Sequence, residues 1–274
     1  MRIPRVACIH DLSGFGRCSL TTAIAVISAA GVQPCPVPTA VLSKHTQFPD
    51  FFFHDLTDAI PPYLKSWNDI ELDGIYSGFL GSSEQISITE EFIEQRRRKN
   101  PDIKVIIDPV MGDKGKFYAT YNEEMCSRIK KLITLADIIT PNITEACFLT
   151  GIPYTGENIS HETAGELIKR LYELCGGKLV LTGFETNDTM INITYDGVDT
   201  GFFEIPREKR VFSGTGDIFA SVVCAMIMKG KSFEYAVSTA GSFISQAIRY
   251  TVNSDAPLTD GVIFEPVLYT LGAE

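Results

Sequence analysis

The segment Ser213-Gly214-Thr215-Gly216-Asp217 stands directly before Ile218 to Met228, eleven residues that carry no formal charge. The uncharged run predicts a helix, and the glycines before it let backbone N–H groups of the first turn come close to a ligand. These groups and the positive end of the helix would stabilise a phosphoryl group or another anion. Asp217 would repel the anion but could take the proton from an attacking hydroxyl. A glycine turn with an acidic residue beside the helix dipole explains the same pattern, and the segment alone leaves both interpretations open.

Length and composition predict a single α/β domain over residues 1–274. Chains of this length commonly form one such domain, and 45% apolar residues can fill one large core. The net charge of −10 and the pI near 5.0 argue against a nucleic-acid partner, because phosphate neutralisation needs clustered Lys and Arg. The basic run Arg96-Arg97-Arg98-Lys99 ends a helical pattern, and we interpret it as charge at the carbonyl end of that helix.

The spacing of cysteine and histidine gives no indication of a metal site or a disulfide framework. The seven cysteines are scattered without a C-x-x-C pair, and the four histidines lack metal-ligand spacing. With no signal-peptide pattern, this favours a reducing, cytoplasmic setting without structural zinc. No apolar run reaches the ~20 residues of a membrane span, so we expect no membrane partner.

The chain opens with a strand, a glycine loop and a helix. Val6 to His10 is apolar, Asp11 to Arg17 is the loop, and Leu20 to Ala30 has a helical pattern closed by Gly31. This order predicts a parallel sheet with ligands at the carboxyl ends of its strands. The G-x-G in the loop lacks the third glycine of a dinucleotide site, which favours a loop that closes over a small molecule.

A proline-rich stretch follows from Val32 to Leu42. Because proline cannot donate to a central ladder, Pro34, Pro36 and Pro38 predict an edge or flap segment. It leads to Ser43-Lys44-His45-Thr46-Gln47, which is either an exposed polar loop or the lining of a partly enclosed site. The neighbouring Phe51-Phe52-Phe53 favours the second interpretation.

Further strands and helices alternate along the rest of the chain. We predict strands at Gly74–Ser77, Lys104–Ile107, Ala136–Ile139 and Lys178–Leu181, followed by a hairpin of Met190–Tyr195 and Gly201–Ile205 through Asp196-Gly197. Helices are predicted to end near Trp67 and to span Glu84–Arg98 (capped by Ser82 or Ser83), Ile218–Met228, Phe233–Thr251 and Phe264–Leu271. Because small or polar residues follow each parallel strand, we expect these strand ends to face one crevice.

Two of the strand ends carry residues suited to a cation or a helix start. Asp108 and Asp113 lie five residues apart in a glycine-rich loop, where they could approach a hydrated magnesium ion; a surface turn is the alternative. Asn142 or Thr140 could cap a helix with Glu145 answering three residues later. A capping box alone explains that second pattern.

Taken together, these segments identify a resemblance to the pyridoxal kinases of the ribokinase-like superfamily, nearly end to end. The motifs that carry it are Ser43-Lys44-His45-Thr46-Gln47, Gly78-Phe79-Leu80-Gly81-Ser82, Asp108-Pro109-Val110-Met111-Gly112-Asp113, Thr140-Pro141-Asn142-Ile143-Thr144-Glu145 and Gly214-Thr215-Gly216-Asp217. The last three are shared across the superfamily. The resemblance implies a three-layer α/β sandwich, with a mostly parallel central sheet, helices on both faces and a small β flap. It also implies a homodimer.

The resemblance further implies ATP-dependent phosphorylation of the 5′-hydroxymethyl group of pyridoxal, pyridoxamine or pyridoxine. Asp217 would be the base, and the anion hole would be formed by Gly214, Thr215, Gly216 and Asp217. The vitamer would contact Asp11, Ser13, His45, Thr46 and Phe79. Such a reaction is mostly positioning and charge stabilisation, so a carboxylate of ordinary basicity suffices.

The resemblance assigns the remaining residues to the nucleotide and to cations. Nucleotide contacts would come from Asp113, Tyr118, Asn142, Glu145, Thr182, Gly183, Thr215 and Gly216. Mg²⁺ would lie near Asp108 and Glu145, with Asp113 and Asn142 helping to arrange it and the phosphates. A monovalent cation, K⁺, would lie near Thr140 and Thr182.

The sequence departs from the pyridoxal kinases in its first loop. His10-Asp11-Leu12-Ser13 replaces a Gln-Ser-His run and is closer to the hydroxymethylpyrimidine kinases of thiamine synthesis. Phe79 lacks the hydroxyl of a common tyrosine, and the glycine loop has no cysteine to trap an aldehyde. A hydroxymethylpyrimidine kinase is therefore the first alternative, and a non-catalytic vitamer-binding regulator is the second. The retained Asp217 counts against a regulator.

Overall fold

The computed structural model of the chain describes residues 2–156, 158–185, 189–206 and 214–272. It contains two compact units, Met1–Tyr76 with Glu208–Glu274 and Ser77–Arg207, which are described separately below. Ser213, the first residue of the predicted glycine segment, lies outside the described residues. The single domain over residues 1–274 stays a prediction.

The described residues alternate between strands and helices. The strands are β1 (Arg5–Ser13), β2 (Gln33–Leu42), β3 (Phe53–Asp55), β4 (Gly74–Ser77), β5 (Lys104–Ile107), β6 (Gly112–Asp113), β7 (Lys116–Phe117), β8 (Ile138–Ile139), β9 (Lys178–Glu185), β10 (Thr189–Tyr195) and β11 (Thr200–Pro206). The α-helices are α1 (Ser19–Ala29), α2 (Ile60–Lys65), α3 (Ser83–Lys99), α4 (Glu123–Leu132), α5 (Ile143–Thr150), α6 (His161–Cys175), α7 (Thr215–Met228) and α8 (Phe233–Val252). Short 3₁₀ helices cover Thr57–Ala59, Ile133–Leu135, Leu258–Asp260 and Glu265–Leu271.

In the first unit the strand order is β4-β1-β2-β3. β1 and β2 run parallel from Arg5 opposite Gln33 to Ser13 opposite Leu42. β3 pairs only with the last residues of β2, from Ala40 to Leu42. The three prolines of β2 lie before that paired end, so their missing N–H groups interrupt no ladder on that side, which confirms the predicted edge segment.

The first strand is longer than its apolar run. We predicted a strand that ends at His10, with Asp11 and Ser13 in the following loop, but β1 continues to Ser13 and buries both side chains. The Ser13 hydroxyl donates to the Asp11 carboxylate at 2.9 Å. The two residues lie two apart in a strand, so they share one face, and the hydrogen bond lets both be buried there.

In the second unit the strand order is β11-β10-β9-β8-β5. β5, β8 and β9 run parallel, while β9, β10 and β11 are antiparallel, which confirms the predicted hairpin. β9 extends to Glu185 instead of ending before Thr182-Gly183 as we predicted. Gly183 has a left-handed backbone with φ 79°, and the register of β9 with β10 shifts at this point. The glycine thus absorbs a bulge and lets the strand continue.

Several helix ends have the caps and charged residues that we predicted from the sequence. The Ser82 hydroxyl caps α3 by accepting the Gln85 N–H, and Asn142 and Glu145 form a complete capping box at the start of α5. The basic run Arg96–Lys99 lies in the last turn of α3, as predicted. The closing segment predicted as a helix at Phe264–Leu271 is a 3₁₀ helix, a geometry common in short pieces.

α7 owes its uncharged sequence to burial. It packs against α1 and α8 in the first unit, and most of its residues from Ile218 to Met228 are buried. A helix that is apolar all round is buried on all sides, so this run forms the centre of the unit and fixes the position of its first turn. Within the described ranges, no helix combines the length and apolarity that crossing a bilayer requires.

Candidate active site

The start of α7 is built on a close backbone contact. Gly214 has φ 82°, and a Cβ placed there would lie 2.0 Å from the Arg17 carbonyl oxygen. A Cβ on Gly216 would instead meet no heavy atom within 4 Å. The N–H groups of the first helical turn have no partner within the helix, so the open space at Gly216 is available for an anion that these groups would bind.

Asp217 lies in that first turn and is half-buried. Burial raises the pKa of its carboxyl to about 7, and the nearby charge of Asp11 raises it further, whereas a hydrogen bond from the backbone of Ser19 opposes the shift. A group that titrates near neutral pH is well matched to accepting a proton at that pH. Asp217 therefore has the environment of a general base.

Asp11 is the second carboxylate of this group and is only 6% exposed. Burial raises its pKa, while hydrogen bonds from the Ser19 and Ser13 side chains act in the opposite direction. Burial and the charges of Asp217 and Asp11 raise the pKa of the Cys18 thiol, which stays neutral and unreactive. We call Asp11, Ser13, Cys18, Ser19 and Asp217 the Asp11–Asp217 cluster.

Sequence reasoning missed Cys18 and Ser19 as members of this cluster. Their residue types carry no motif, and the only local signal is their place at the start of a predicted helix. Ser19 also has a left-handed backbone, with φ 48°. Such a conformation is uncommon for a residue other than glycine and marks a position fixed by its surroundings.

His45 is buried and both of its ring nitrogens contact the backbone. Nε2 lies 2.7 Å from the Thr259 carbonyl oxygen, and Nδ1 accepts the Gln47 N–H at 3.3 Å. A Cβ on Gly16 would overlap the imidazole ring, so His45 packs directly on the first glycine loop. The residue joins three backbone segments of the first unit, whereas its neighbour Thr46 is exposed.

The second unit holds another pair of buried acids. The Thr140 hydroxyl donates to Asp108 at 2.9 Å, and Asp108 is 6% exposed. Glu145 is 3% exposed and accepts the N–H groups of Met111 at 3.2 Å and Asn142 at 2.9 Å. Burial raises the pKa of Glu145 well above its usual value, and the charge of Asp108 adds to the shift. We call Asp108, Thr140, Asn142 and Glu145 the Asp108–Glu145 cluster.

This cluster has the donor chemistry that a magnesium ion prefers. Two carboxylates and one hydroxyl are oxygen ligands, and Mg²⁺ usually takes one or two carboxylates and keeps several waters. Over the described residues, no group of three or more His, Cys, Asp or Glu side chains is placed to hold a metal. A cation would also relieve the repulsion between Asp108 and Glu145, so the residues fit such an ion.

The small β6–β7 hairpin is tied to the start of α5. The Asn142 side-chain amide donates to the Gly112 carbonyl at 3.0 Å, and Thr144 accepts the Gly115 N–H at 2.9 Å. Phe117 stacks on Phe148 with ring centroids 4.0 Å apart. The Asn142 side chain makes one hydrogen bond in the cap through its oxygen and one in this tie through its nitrogen, so it positions the hairpin. Sequence reasoning missed Thr144.

The other predicted site residues of the second unit are distributed around these elements. Asp113 and Tyr118 are both exposed, and the Asp113 carboxylate accepts the Lys114 N–H at 2.9 Å. Thr182 donates its N–H to the Pro141 carbonyl at 2.9 Å, which brings it next to Asn142. A Cβ on Gly183 would meet nothing within 4 Å. The Phe79 ring contacts Tyr121 edge-on at 5.9 Å.

Curated relatives share about three tenths of the sequence. A hydroxymethylpyrimidine/phosphomethylpyrimidine kinase of Staphylococcus aureus is 31% identical over 81% of this chain and 80% of its own. A pyridoxine kinase of Bacillus subtilis is 29% identical over 70% of each chain. The thiamine biosynthesis bifunctional protein ThiED of Geobacter sulfurreducens is 29% identical over 94% of this chain. The chain spans about half of that longer relative, 51%.

Solved structures show the same fold. A candidate phosphomethylpyrimidine kinase of Bacteroides thetaiotaomicron, crystallised with pyridoxal, is 38% identical with a TM-score of 0.93 over 98% of this chain and 96% of its own. A pyridoxal kinase of Lactobacillus plantarum is 24% identical with a TM-score of 0.89 over 98% and 97%. A Leishmania donovani pyridoxal kinase in complex with ADP and pyridoxamine is 19% identical with a TM-score of 0.87 over 98% and 96%.

Fold and comparisons together define a kinase with a ribokinase-like α/β fold and a large, mostly parallel central sheet. The model of the phosphomethylpyrimidine kinase family matches residues 19–259, and the chain belongs to that family. The ribokinase-like fold expected from the sequence is thereby confirmed. The comparisons support the kinase family but not the narrower assignment to the pyridoxal kinases, because the sequence relatives include both pyrimidine and pyridoxine kinases.

Because Asn142 both caps α5 and binds the β6–β7 hairpin, we predict that replacing it lowers both stability and activity. Asn142→Ala removes a helix cap and the tie to Gly112, and a lost cap costs about 1 kcal/mol. Asn122→Ala is the matched control, because Asn122 caps α4 by accepting the Met125 N–H at 2.9 Å. Urea unfolding should show a loss for Asn142→Ala at least as large as for Asn122→Ala, while kinase assays should show lower kcat only for Asn142→Ala. Equal activity in the two variants would contradict the positioning role.

The raised pKa of Asp217 predicts that its carboxylate destabilises the fold at high pH. The folded pKa of about 7 lies above the unfolded value, so the stability that this group contributes is present at pH 4 and is lost as pH rises through 7. The free energy of unfolding of Asp217→Asn, relative to that of wild type, should therefore rise by on the order of 2 kcal/mol from pH 4 to pH 8. This value is smaller than the pKa shift alone would give, because Asp217 is partly exposed to solvent.

Denaturant unfolding at the two pH values measures this difference. Glu234→Gln is the control, because Glu234 is an exposed carboxylate in the first turn of α8. A pH-independent difference between wild type and Asp217→Asn would show that Asp217 has an ordinary pKa.

Proposed function

We propose that the protein transfers the γ-phosphoryl group of ATP to the 5′-hydroxymethyl group of a vitamin B6 vitamer. The observation that carries the kinase chemistry is Asp217, a carboxyl with a pKa near 7 beside the glycine-rich start of a buried helix. The B6 vitamer is favoured by the pyridoxal-bound Bacteroides structure, which is 38% identical over nearly the whole of both chains. ATP as donor is favoured by the ADP-bound neighbour with the same fold.

In this proposal Asp217 accepts the proton of the vitamer hydroxyl as its oxygen attacks the γ-phosphorus. The new oxygen–phosphorus bond forms while the bond to the leaving ADP oxygen breaks, through a loose transition state. The N–H groups of Gly214, Thr215, Gly216 and Asp217 stabilise the charge on the transferring group, which enters the open space beside Gly216. Thr215 and Gly216 thereby also contact the nucleotide.

The Asp108–Glu145 cluster would hold a hydrated Mg²⁺ that neutralises phosphate charge when bound. Asp108 and Glu145 supply carboxylate oxygens, and Thr140 orients Asp108 through its hydroxyl. K⁺ would lie near Thr140 and Thr182, as the resemblance implies. Asp113, Tyr118 and Gly183 are proposed nucleotide contacts, and Asn142 acts through the hairpin that it holds.

Asp11, Ser13, His45, Thr46 and Phe79 are the proposed vitamer contacts. The structure changes the role expected of His45, because both of its nitrogens bind backbone groups. Its ring can shape the pocket wall by packing, but it has no nitrogen left to donate to a ligand. The homodimer and the cytoplasmic setting stay predictions.

A hydroxymethylpyrimidine kinase is the second candidate. It is favoured by the family model over residues 19–259 and by the 31% identical Staphylococcus aureus relative. Both candidate substrates present a hydroxymethyl group on a nitrogen heteroaromatic ring, so the same base and anion hole serve either. The alternative of a non-catalytic regulator is disfavoured by membership in a kinase family.

A substrate panel separates these candidates. The purified protein is incubated with ATP, Mg²⁺ and K⁺ and with pyridoxal, pyridoxamine, pyridoxine or hydroxymethyl-aminopyrimidine, and ADP release is measured. A kcat/KM for a B6 vitamer above that for the pyrimidine supports the proposal. A clear preference for the pyrimidine would replace it with the second candidate, and no turnover of any substrate would overturn both.

Removing the proposed base should abolish turnover but not the fold. Asp217→Asn is nearly isosteric and removes only the capacity to accept a proton, whose contribution is typically on the order of 100- to 10,000-fold. We expect kcat to fall within this range while ATP binding, measured by calorimetry, is retained. Glu234→Gln should keep wild-type kcat. Near wild-type turnover in Asp217→Asn would rule out the assigned role.

Asp11 should distinguish vitamers by charge. A carboxylate gains about 1.5 to 3 kcal/mol from a charge-assisted hydrogen bond to the cationic aminomethyl group of pyridoxamine, against about 1 kcal/mol from a neutral group. Asp11→Ser should therefore lower kcat/KM for pyridoxamine more than for pyridoxal. Equal losses for both vitamers would show that Asp11 shapes the strand end through its hydrogen bond with Ser13 and does not choose the substrate.

A further inference from the structure

The backbone of Arg17 is approached by two glycines that both have left-handed conformations. Gly214, directly before α7, has φ 82°, and Gly261 has φ 80°. A Cβ on Gly214 would overlap the Arg17 carbonyl oxygen, and a Cβ on Gly261 would lie 3.1 to 3.3 Å from the Cβ, carbonyl oxygen and nitrogen of Arg17. Two distant segments of the chain therefore come as close to this one residue as glycine allows.

The segment that carries Gly261 also holds Arg17 by hydrogen bonds, and we call residues 258–265 the strap. The Asp260 carbonyl accepts the Arg17 backbone N–H at 3.3 Å and a guanidinium N–H at 3.2 Å. The Arg17 Nε lies 2.7 and 3.0 Å from the two carboxylate oxygens of Glu265 and donates to them. Arg17 is thus bound to the strap through its backbone and, by a charge-assisted bond, through its side chain.

The strap is itself anchored in the core of the first unit. Val262 and Phe264 are buried, and the Ile263 N–H donates to the Thr251 hydroxyl of α8 at 2.9 Å. α8 packs on α7. Because its anchor is a buried helix, the strap can hold the loop that contains Arg17 in one position.

The strap holds His45 by the same turn. The Thr259 carbonyl oxygen, one residue before Asp260, lies 2.7 Å from His45 Nε2. The backbone N–H of His45 donates to the Phe15 carbonyl at 3.1 Å, two residues before Arg17. The proposed pocket wall at His45 and the start of α7 therefore share one support.

We propose that Arg17 is a positioning residue for phosphoryl transfer: its carbonyl group seats the start of α7, and its guanidinium holds the first loop to the strap. The inference rests on the proposed function, in which Asp217, three residues after Gly214, is the base. The guanidinium is committed to Asp260 and Glu265, so Arg17 acts through the elements that it holds. Without these bonds the loop and the start of α7 can shift, and small displacements of a catalytic group lower the rate steeply.

Arg17→Met tests this role because methionine keeps much of the length of the side chain and removes the guanidinium bonds. With the substrate that wild type turns over best, we expect kcat to fall by about ten- to a hundredfold. KM for that substrate should rise, because His45 loses part of the same support. Arg17→Lys keeps a positive charge toward Glu265 but lacks the planar fork, so it should lose less kcat than Arg17→Met.

Arg2→Met is the matched control within the same unit. The Arg2 guanidinium donates to the Asp73 carboxylate at 2.6 Å and to the Glu71 carbonyl at 3.4 Å, so it also binds one acid and one backbone oxygen. Arg2 precedes β1, at the end of that strand opposite Asp11. Urea unfolding should show comparable stability losses for Arg2→Met and Arg17→Met, while Arg2→Met keeps wild-type kcat and KM. Wild-type kcat and KM in Arg17→Met would overturn the proposal and leave Arg17 a purely structural residue.

Glu265→Ala tests whether the guanidinium acts through the strap. This variant should lower kcat less than Arg17→Met, because Arg17 keeps its bonds to the Asp260 carbonyl. The double variant Arg17→Met/Glu265→Ala should lose no more kcat than Arg17→Met alone, since both changes remove the same contact. Additive losses would overturn the proposed link. If Arg17→Met does not fold, Arg17→Lys and Glu265→Ala decide: lowered kcat in both supports the proposal, and wild-type kcat in either overturns it.

Failure of this inference is distinguishable from failure of the proposed function. If the Arg17 and Glu265 variants behave as wild type while Asp217→Asn is inactive, Asp217 is the base but Arg17 does not position it. If Asp217→Asn itself keeps wild-type kcat, the assigned base is wrong and the positioning role is lost with it.

Discussion

The backbone contact between Gly214 and Arg17 determines the geometry of the first unit's site. A side chain at Gly214 would have its Cβ 2.0 Å from the Arg17 carbonyl oxygen, so only a residue without Cβ lets α7 begin at this point. Cys18 and Ser19 follow Arg17 directly, and Asp217 lies three residues after Gly214. This contact therefore fixes where α7, and with it Asp217, begins relative to Arg17, and the burial of α7 behind it keeps the helix from shifting.

Both units place acids where burial disfavours their charge. Asp11 with Asp217 and Asp108 with Glu145 are pairs in which burial raises a pKa and the partner's charge raises it further. Asp11 accepts the Ser13 hydroxyl, Asp108 accepts the Thr140 hydroxyl, and Glu145 accepts two backbone N–H groups. Such arrangements cost folding free energy, and they are typical of sites where a proton or a cation compensates the charge during function. A proton suits the first pair and a hydrated cation the second.

Local chemistry was predictable from the sequence, and tertiary contacts were not. The capping box of Asn142 and Glu145 was found because its two members lie three residues apart on one turn. The two polar residues that end β1 were assigned to a loop because polarity usually marks a strand end, and only their mutual hydrogen bond explains their burial. The bond from His45 to Thr259 spans 214 residues, and no pattern in either segment indicates it.

This chain is similar both to a pyridoxine kinase and to hydroxymethylpyrimidine kinases. The two substrate classes share the chemical group on which phosphoryl transfer takes place. In the proposed reaction, Asp217 and the N–H groups of the α7 start act on the hydroxymethyl group, which the two substrate classes share, and on the phosphoryl group that is transferred to it. Discrimination must come from groups that face the ring, and His45 is committed to the backbone. Among the other proposed vitamer contacts, Asp11 is the carboxylate, and its charge also raises the pKa of Asp217. A cationic amino group bound beside Asp11 would offset that charge, lower the pKa of Asp217 and leave more of the base ionised at neutral pH. In the proposed function, substrate choice and base strength are therefore coupled through the Asp11 carboxylate.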